Sequence, residues 1–179
     1  MEFKARIMDE AAVRRSMARI THEIIEKNHG AEGICLLGVK RRGIPLAKML
    51  GENIEKFEGI KVPVGHTDIT LYRDDLSETT NLPTSSACEI PCNVVDYNII
   101  IVDDVIYTGR TARAAIESVF RIGRPKSIQL AVLIDRGHRE LPIRPDFVGK
   151  NIPTAKNELV SVEIEEIDGE TGVCLYSKQ

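Results

Sequence analysis

No apolar run in the 179 residues approaches the roughly 20 that a membrane-spanning helix needs. The opening Met1-Glu2-Phe3-Lys4-Ala5-Arg6 lacks the apolar core of a secretion signal. Both absences point to the cytoplasm, and no membrane partner is expected. The four cysteines, Cys35, Cys88, Cys92 and Cys174, have neither a redox nor a zinc-ribbon spacing. Cys35 and Cys174 sit in apolar runs and read as buried thiols, and in this setting all four are expected to be free. There is no Gly-x-x-x-x-Gly-Lys-Ser/Thr loop, which excludes a Walker site, and no Gly-x-Gly-x-x-Gly turn for a dinucleotide. No metal-ligand set, internal repeat or low-complexity tract occurs.

Hydrophobic residues at 42% and charged residues at 28% are ordinary for a folded globular chain, and the length suits a single domain. The formal charge of −3 conceals unlike pieces. Residues 1–50 carry 10 bases and 6 acids (+4), and residues 51–120 carry 5 and 12 (−7). Residues 121–156 carry 8 and 3 (+5), and residues 157–179 carry 1 and 6 (−5). Two basic segments therefore lie inside an acidic total, so nucleic acid remains a possible partner.

Hydrophobic spacing predicts alternating helices and strands. Asp9 caps a helix bearing Val13, Met17, Ile20 and Ile24, stopped at Asn28 to Gly30. Ile34–Leu37 reads as a buried strand. After the turn Lys40-Arg41-Arg42-Gly43, a second helix carries Ala47, Leu50, Ile54 and Phe57. Val62 to Leu71 gives another strand pattern, and residues 72–93 form a long connection of the kind that is functional or mobile. The β-branched run Ile99–Val102 marks a strand buried on both faces. A third helix opens at Thr108-Gly109, and further strand patterns lie at Ile128–Ile134, Phe147–Val148, Leu159–Ile164 and Val173–Tyr176. This alternation predicts an α/β fold with a mostly parallel sheet and ligands at the carboxyl ends of its strands.

The informative string is Ile99-Ile100-Ile101-Val102-Asp103-Asp104-Val105-Ile106-Tyr107-Thr108-Gly109-Arg110-Thr111. A central strand delivers two carboxylates, and a hydroxyl- and glycine-rich turn then meets a helix amino terminus. Free amides and the helix dipole there suit a phosphate. Adjacent carboxylates suit the vicinal hydroxyls of a ribose and an associated Mg²⁺. A sugar phosphate satisfies both halves; the competing interpretation, an Asp turn followed by a simple Thr cap, leaves most of the string unexplained. The basic turn Lys40-Arg41-Arg42-Gly43 fits a polyanion site or a solvated turn.

Residues 99–111 resemble the phosphoribosyl-pyrophosphate (PRPP) signature of type I phosphoribosyltransferases. The resemblance extends over nearly the whole chain to the family of bifunctional pyrimidine-operon regulators and uracil phosphoribosyltransferases. It is carried by Leu37 to Gly43, by Asp68-Ile69-Thr70-Leu71-Tyr72-Arg73-Asp74-Asp75-Leu76, and by Ile134 to Ile143. It implies the type I phosphoribosyltransferase fold, with a small hood to which the carboxy-terminal strands contribute, and a flap over about 70–93.

By the same resemblance, Asp103 and Asp104 hold the ribose hydroxyls and Val105, Tyr107, Thr108, Gly109, Arg110 and Thr111 surround the 5′-phosphate. Lys40 and Arg41 hold pyrophosphate in a loop that often contains a cis peptide. Tyr72 and Arg73 on the flap lie near the reacting centre, although Arg73 fits a salt bridge with Asp74 or Asp75 equally well. Ile134, Asp135 and Arg136 border the base. PRPP and uracil are the implied substrates, UMP and UTP the effectors, and Mg²⁺ binds mainly through PRPP or pyrophosphate, with no protein metal site. The products are UMP and pyrophosphate, and no side chain stands out as a general base.

The family also implies binding to the pyrimidine operon leader mRNA, favoured by UMP, and a homodimer or larger homo-oligomer. Arg15, Arg19 and His22 share one stripe of the first helix, apart from its apolar face. His138, Arg139, Arg144 and Lys150 lie in the +5 segment. Both groups match the family's RNA-contacting regions, and both also fit solvated surface. The chain departs from the family pattern at Ala18, where a hydroxyl residue is common. Alternatives are a phosphoribosyltransferase without a regulatory role and an RNA-binding regulator with negligible turnover.

Overall fold

A computed structural model describes residues 1–69 and 88–178. The elements, in chain order, are β1 (Glu2–Met8), α1 (Glu10–Lys27), β2 (Ile34–Val39), α2 (Gly43–Glu58), β3 (Val64–Thr67) and β4 (Cys88–Glu89). There follow β5 (Asn98–Ile106), α3 (Arg110–Ile122), β6 (Ser127–Asp135), β7 (Phe147–Asn151), β8 (Glu158–Glu163), α4 (Glu165–Asp168) and β9 (Gly172–Ser177). Six strands form one sheet in the order β4-β3-β2-β5-β6-β7, and three form another in the order β1-β9-β8. Neighbouring strands from β3 to β7 run parallel, whereas β4 is antiparallel to β3 and the smaller sheet is wholly antiparallel.

The sequence builds two cores by strand alternation. Ile100 and Val102 of β5 and Leu36 of β2 face α1 and α2, where Val13, Met17, Ile20, Ile24, Leu46, Leu50 and Ile54 are fully or almost fully buried. Ile99 and Ile101, with Cys35 and Leu37, face α3 through Ala112, Ala115 and Val119. Val160, Val162 and Val173 of the small sheet join the first core, so the hood is packed onto the α1–α2 side. Asp9 caps α1 as expected, accepting from the Ala12 amide at 2.7 Å. All four cysteines are free, with Cys35 and Cys174 buried.

Two elements have no counterpart in the sequence expectations. Strand β1 pairs with β9 from the far end of the chain, and most of its residues are exposed, so its apolar signal is weak. Helix α4 is a single short turn of four residues, all acidic except Ile167. The strand expected over Val62–Leu71 is confined to Val64–Thr67 among the described residues. Within the expected connection 72–93, Cys88 and Glu89 pair with Thr67 and His66. Among the described residues no helix is long and apolar enough to cross a membrane.

Candidate active site

Strand β5 is longer than its apolar run. It pairs with β2 only as far as Gly38–Val102, yet continues beside β6 through Asp103–Val132 to Ile106–Asp135. Asp103 and Asp104 therefore lie where β2 has ended, on a step open toward the turn 40–43. That step is built by glycine: a side chain on Gly43 would collide with the Val102 carbonyl, and one on Gly38 would meet the Gly43 carbonyl oxygen at 2.7 Å. The sequence quotes both glycines without revealing this close approach.

The two acids are tightly held. The Asp104 amide donates to Asp103 Oδ1 at 2.9 Å, and the Val105 amide donates to Asp104 Oδ1 at 2.8 Å. Burial pushes the Asp103 carboxyl well above its ordinary range, and the neighbouring Asp104 charge adds to the effect. Burial also raises Asp104, opposed by hydrogen bonds from Asp103 and the Val105 amide and by the Arg42 charge. A desolvated carboxylate pair gains most from a ligand that restores its lost hydration, such as ribose hydroxyls or a cation.

The peptide between Lys40 and Arg41 is cis. Lys40 Nζ pairs with Asp68 Oδ2 at 2.9 Å, while Arg41 is exposed. Arg42, whose charge also acts on Asp104, grips Asp168 of α4, Nη2 to Oδ1 at 2.7 Å and Nε to Oδ2 at 3.2 Å. The sequence offers Arg42 only as part of the basic turn and gives no reason to single out Asp168; a lone acid in an acidic tail carries no signal of its partner.

On the other side of the carboxylates, Gly109 adopts φ 95° and supplies no side chain to cap α3, leaving its first-turn amides for a ligand. Thr108 Oγ1 accepts weakly from the Arg110 amide at 3.4 Å, and Thr111 is half-buried in the first turn. Val105 packs against the core. The segment after β6 is fastened to this loop: the Glu140 and Leu141 amides donate to the Thr108 carbonyl at 2.9 and 3.1 Å. Arg110 pairs with Glu140 at 2.9 Å.

The expected base-bordering residues serve structural roles as well. Ile134 is fully buried, so its side chain belongs to the core. Asp135 accepts from the Gly137 amide at 2.9 Å and from Arg139. Arg136 is buried, donates to Thr154 Oγ1 at 3.1 Å and to the Glu158 carbonyl at 2.8 Å, and stacks 4.1 Å over Tyr107. It thus joins the loop before α3, at Tyr107, to the start of β8.

The basic residues divide into engaged and free. Arg19 pairs with Glu23 at 2.8 Å and donates to the Val148 and Gly149 carbonyls, covering the outer edge of β7. Arg139 donates to Asp135, to the Tyr107 carbonyl at 2.8 Å and to the Ile143 carbonyl at 2.9 Å. His138, at φ 58°, contacts the Thr154 carbonyl and stands edge-on to Tyr107. His22 stacks on Phe57, ring centres 4.4 Å apart. Arg15, Arg144 and Lys150 are exposed. Tyr72 and Arg73 lie outside the described residues.

Among the described residues no cluster of three or more His, Cys, Asp or Glu could hold a metal. Two carboxylates do suit Mg²⁺ when the remaining ligands are phosphate oxygens and water, so Asp103 and Asp104 fit an ion brought with a diphosphate.

Comparison with known proteins identifies the family and the fold. The family model "phosphoribosyl transferase domain" matches residues 5–167. The "Bifunctional protein PyrR" of Clostridium novyi is 57% identical over 99% of this chain and 100% of its own length. That of Clostridium kluyveri is 61% identical, covering 98% of this chain and 99% of its own. Among solved structures, the hypoxanthine phosphoribosyltransferase of Trypanosoma cruzi has the same fold, with TM-score 0.75 and 18% identity over 99% of this chain and 98% of that one. A hypoxanthine-guanine phosphoribosyltransferase of Bacillus anthracis gives TM-score 0.73 and 19% identity over 99% of both chains. The chain belongs to the phosphoribosyltransferase domain family and, within it, to the bifunctional PyrR proteins.

Proposed function

We propose that the protein transfers the phosphoribosyl group of PRPP to uracil, giving UMP and pyrophosphate, and that it binds the leader mRNA of a pyrimidine operon in response to uridine nucleotides. The observation that carries the first half is the step holding Asp103 and Asp104, bounded by the Lys40–Arg41 turn and by the uncapped amino terminus of α3. Carboxylates for ribose, a basic turn for pyrophosphate and free amides for the 5′-phosphate match the three parts of PRPP. The bond from uracil N1 to C1 of the ribose forms as the bond from C1 to pyrophosphate breaks, and the N1 proton passes to the departing pyrophosphate or to water.

A transition state with oxocarbenium character asks mainly for positioning and charge stabilisation. Asp103 and Asp104 would help hold a Mg²⁺ ion brought with the diphosphate, which when bound would supply charge neutralisation for the leaving group. Asp103 and Asp104 orient the ribose, and Thr108 to Thr111 fix its phosphate. Ile134 to Arg136 border the base through their backbone. By the family resemblance Tyr72 and Arg73, which lie outside the described residues, act near the reacting centre, from which water must be excluded. The chain acts as one domain in the cytoplasm, as a homodimer or larger assembly.

The word "bifunctional" in the relatives' name and the free cations Arg15, Arg144 and Lys150 support the RNA half. One observation favours an enzyme without that role: Arg19 and Arg139 direct their donors within the chain. Two assays decide. Purified protein with PRPP and Mg²⁺ should convert uracil, in preference to hypoxanthine or orotate, and reaction with another base alone would refute the substrate. A titration of leader RNA with and without UMP should show tighter, salt-sensitive binding with UMP; no binding would leave the enzyme alone.

A further inference from the structure

A cavity of about 420 Å³ lies along β7, outside the carboxylate step. Neither Asp103 and Asp104 nor Thr108 to Thr111 line it. Its apolar walls are Pro145, Pro153 and Val148, and its polar groups include Asp135, Arg144 and Asn151. Two proline rings and a small branched side chain suit the face of a planar ring, and the Asn151 amide presents a donor and an acceptor to that ring's edge.

The cations around it are not equivalent. Arg139 also lines the cavity, but its donors go to Asp135 and to the carbonyls of Tyr107, Gly137 and Ile143. It therefore shapes the wall. Among the described residues Arg144 has no hydrogen-bond or ion-pair partner, and neither has Lys150 on the same strand as Val148 and Asn151. Both are exposed, within the segment of charge +5. A cavity with apolar walls and an amide, beside two cations without partners among the described residues, fits a nucleobase with its phosphate.

We infer that this cavity captures one unpaired nucleotide of a bound RNA: the base packs on Pro145, Pro153 and Val148, Asn151 reads its edge, and Arg144 and Lys150 take its phosphate. The inference rests on the RNA-binding reading above and adds a base-reading subsite to it. Proteins recognise RNA sequence chiefly through bases splayed out of loops and bulges. A free mononucleotide shares this chemistry; the proposed ribose and phosphate ligands, Asp103 to Thr111, do not line the cavity, whereas Asp135, proposed to border the base through its backbone, does.

The test uses the full-length protein, the leader stem-loop with UMP, and versions of that RNA made abasic at each unpaired position. One abasic position should weaken wild-type binding about tenfold, the low end of what a base stacked on an aromatic ring contributes, because these walls are aliphatic. Asn151→Leu and the cavity-filling Val148→Phe should each lose about tenfold on intact RNA and show no further penalty at that position, with UMP synthesis retained. Wild-type affinity in both variants, or an undiminished abasic penalty, would overturn the pocket while leaving RNA binding intact. Failure of the wild type to bind any leader RNA would overturn the regulatory reading and the pocket with it. Equilibrium dialysis with labelled UMP should give one site per chain; a second site removed by Asn151→Leu would contradict the RNA assignment in favour of a mononucleotide.

Discussion

Arg42 at the start of α2 and Asp168 at the end of α4 form a two-point ion pair, 2.7 and 3.2 Å, that ties the basic turn at residues 40–43 to the small antiparallel sheet. Asp168 also accepts from the Ile164 amide at 2.9 Å. The arginine holds the Asp168 carboxyl below the usual carboxylate range, and the same contact raises Arg42.

Asp168→Asn should therefore lower stability by about 1–2 kcal/mol in urea unfolding, the usual worth of a charge-assisted hydrogen bond. An acid with a depressed folded pKa stabilises above its unfolded pKa and loses that contribution as pH falls through the folded one. The difference between wild type and variant should thus be full at pH 7 and shrink in strong acid. An undiminished difference at low pH would contradict the ion pair as its cause.

The carboxylate pair predicts the opposite sign. Asp103 and Asp104 are raised by burial, so the folded state binds protons more readily than the unfolded one. Stability then falls as pH rises from the unfolded pKa through the folded one. Asp103→Asn should raise the melting temperature of the ligand-free protein at pH 7, by about 3 °C, and that gain should vanish near pH 4. Calorimetry across this range checks it.

Gly43→Ala places a methyl group against the Val102 carbonyl. Backbone must move to accept it, at about 2–3 kcal/mol, and the Lys40–Arg41 turn moves with α2. Denaturant unfolding and the Michaelis constant for PRPP should both worsen. A variant with normal stability would show that the step between β2 and β5 is looser than its geometry implies.

Arg19 and Arg15 share a helix stripe but should behave differently. Arg19→Ala uncovers the Val148 and Gly149 carbonyls and should cost about 1 kcal/mol of stability. Arg15→Ala should leave stability within about 0.5 kcal/mol while weakening RNA binding. Equal stability losses would refute the division into edge-capping and free cations.

The parallel sheet, its three main helices and the PRPP string were legible because each follows from local periodicity: Ile99 to Val102 for the buried strand, Val13 to Ile24 for α1, Gly109 for the start of α3. What could not be read depends on contacts between distant segments. Strand β1 exists through pairing with β9, the tethering of Arg42 depends on Asp168, and the Arg136 side chain is fixed by bonds to Thr154 and Glu158 that lie 18 and 22 residues away. The basic stripe on α1 was visible by spacing, but the difference between Arg15 and Arg19 required the position of the β7 edge.

The most direct test is the rate of UMP formation from uracil, PRPP and Mg²⁺ by the wild type and by the double variant Asp103→Asn, Asp104→Asn. The account predicts uracil-dependent turnover by the wild type and at least about a hundredfold loss in the folded double variant. Near-normal turnover by that variant would contradict the placement of the ribose at these two carboxylates.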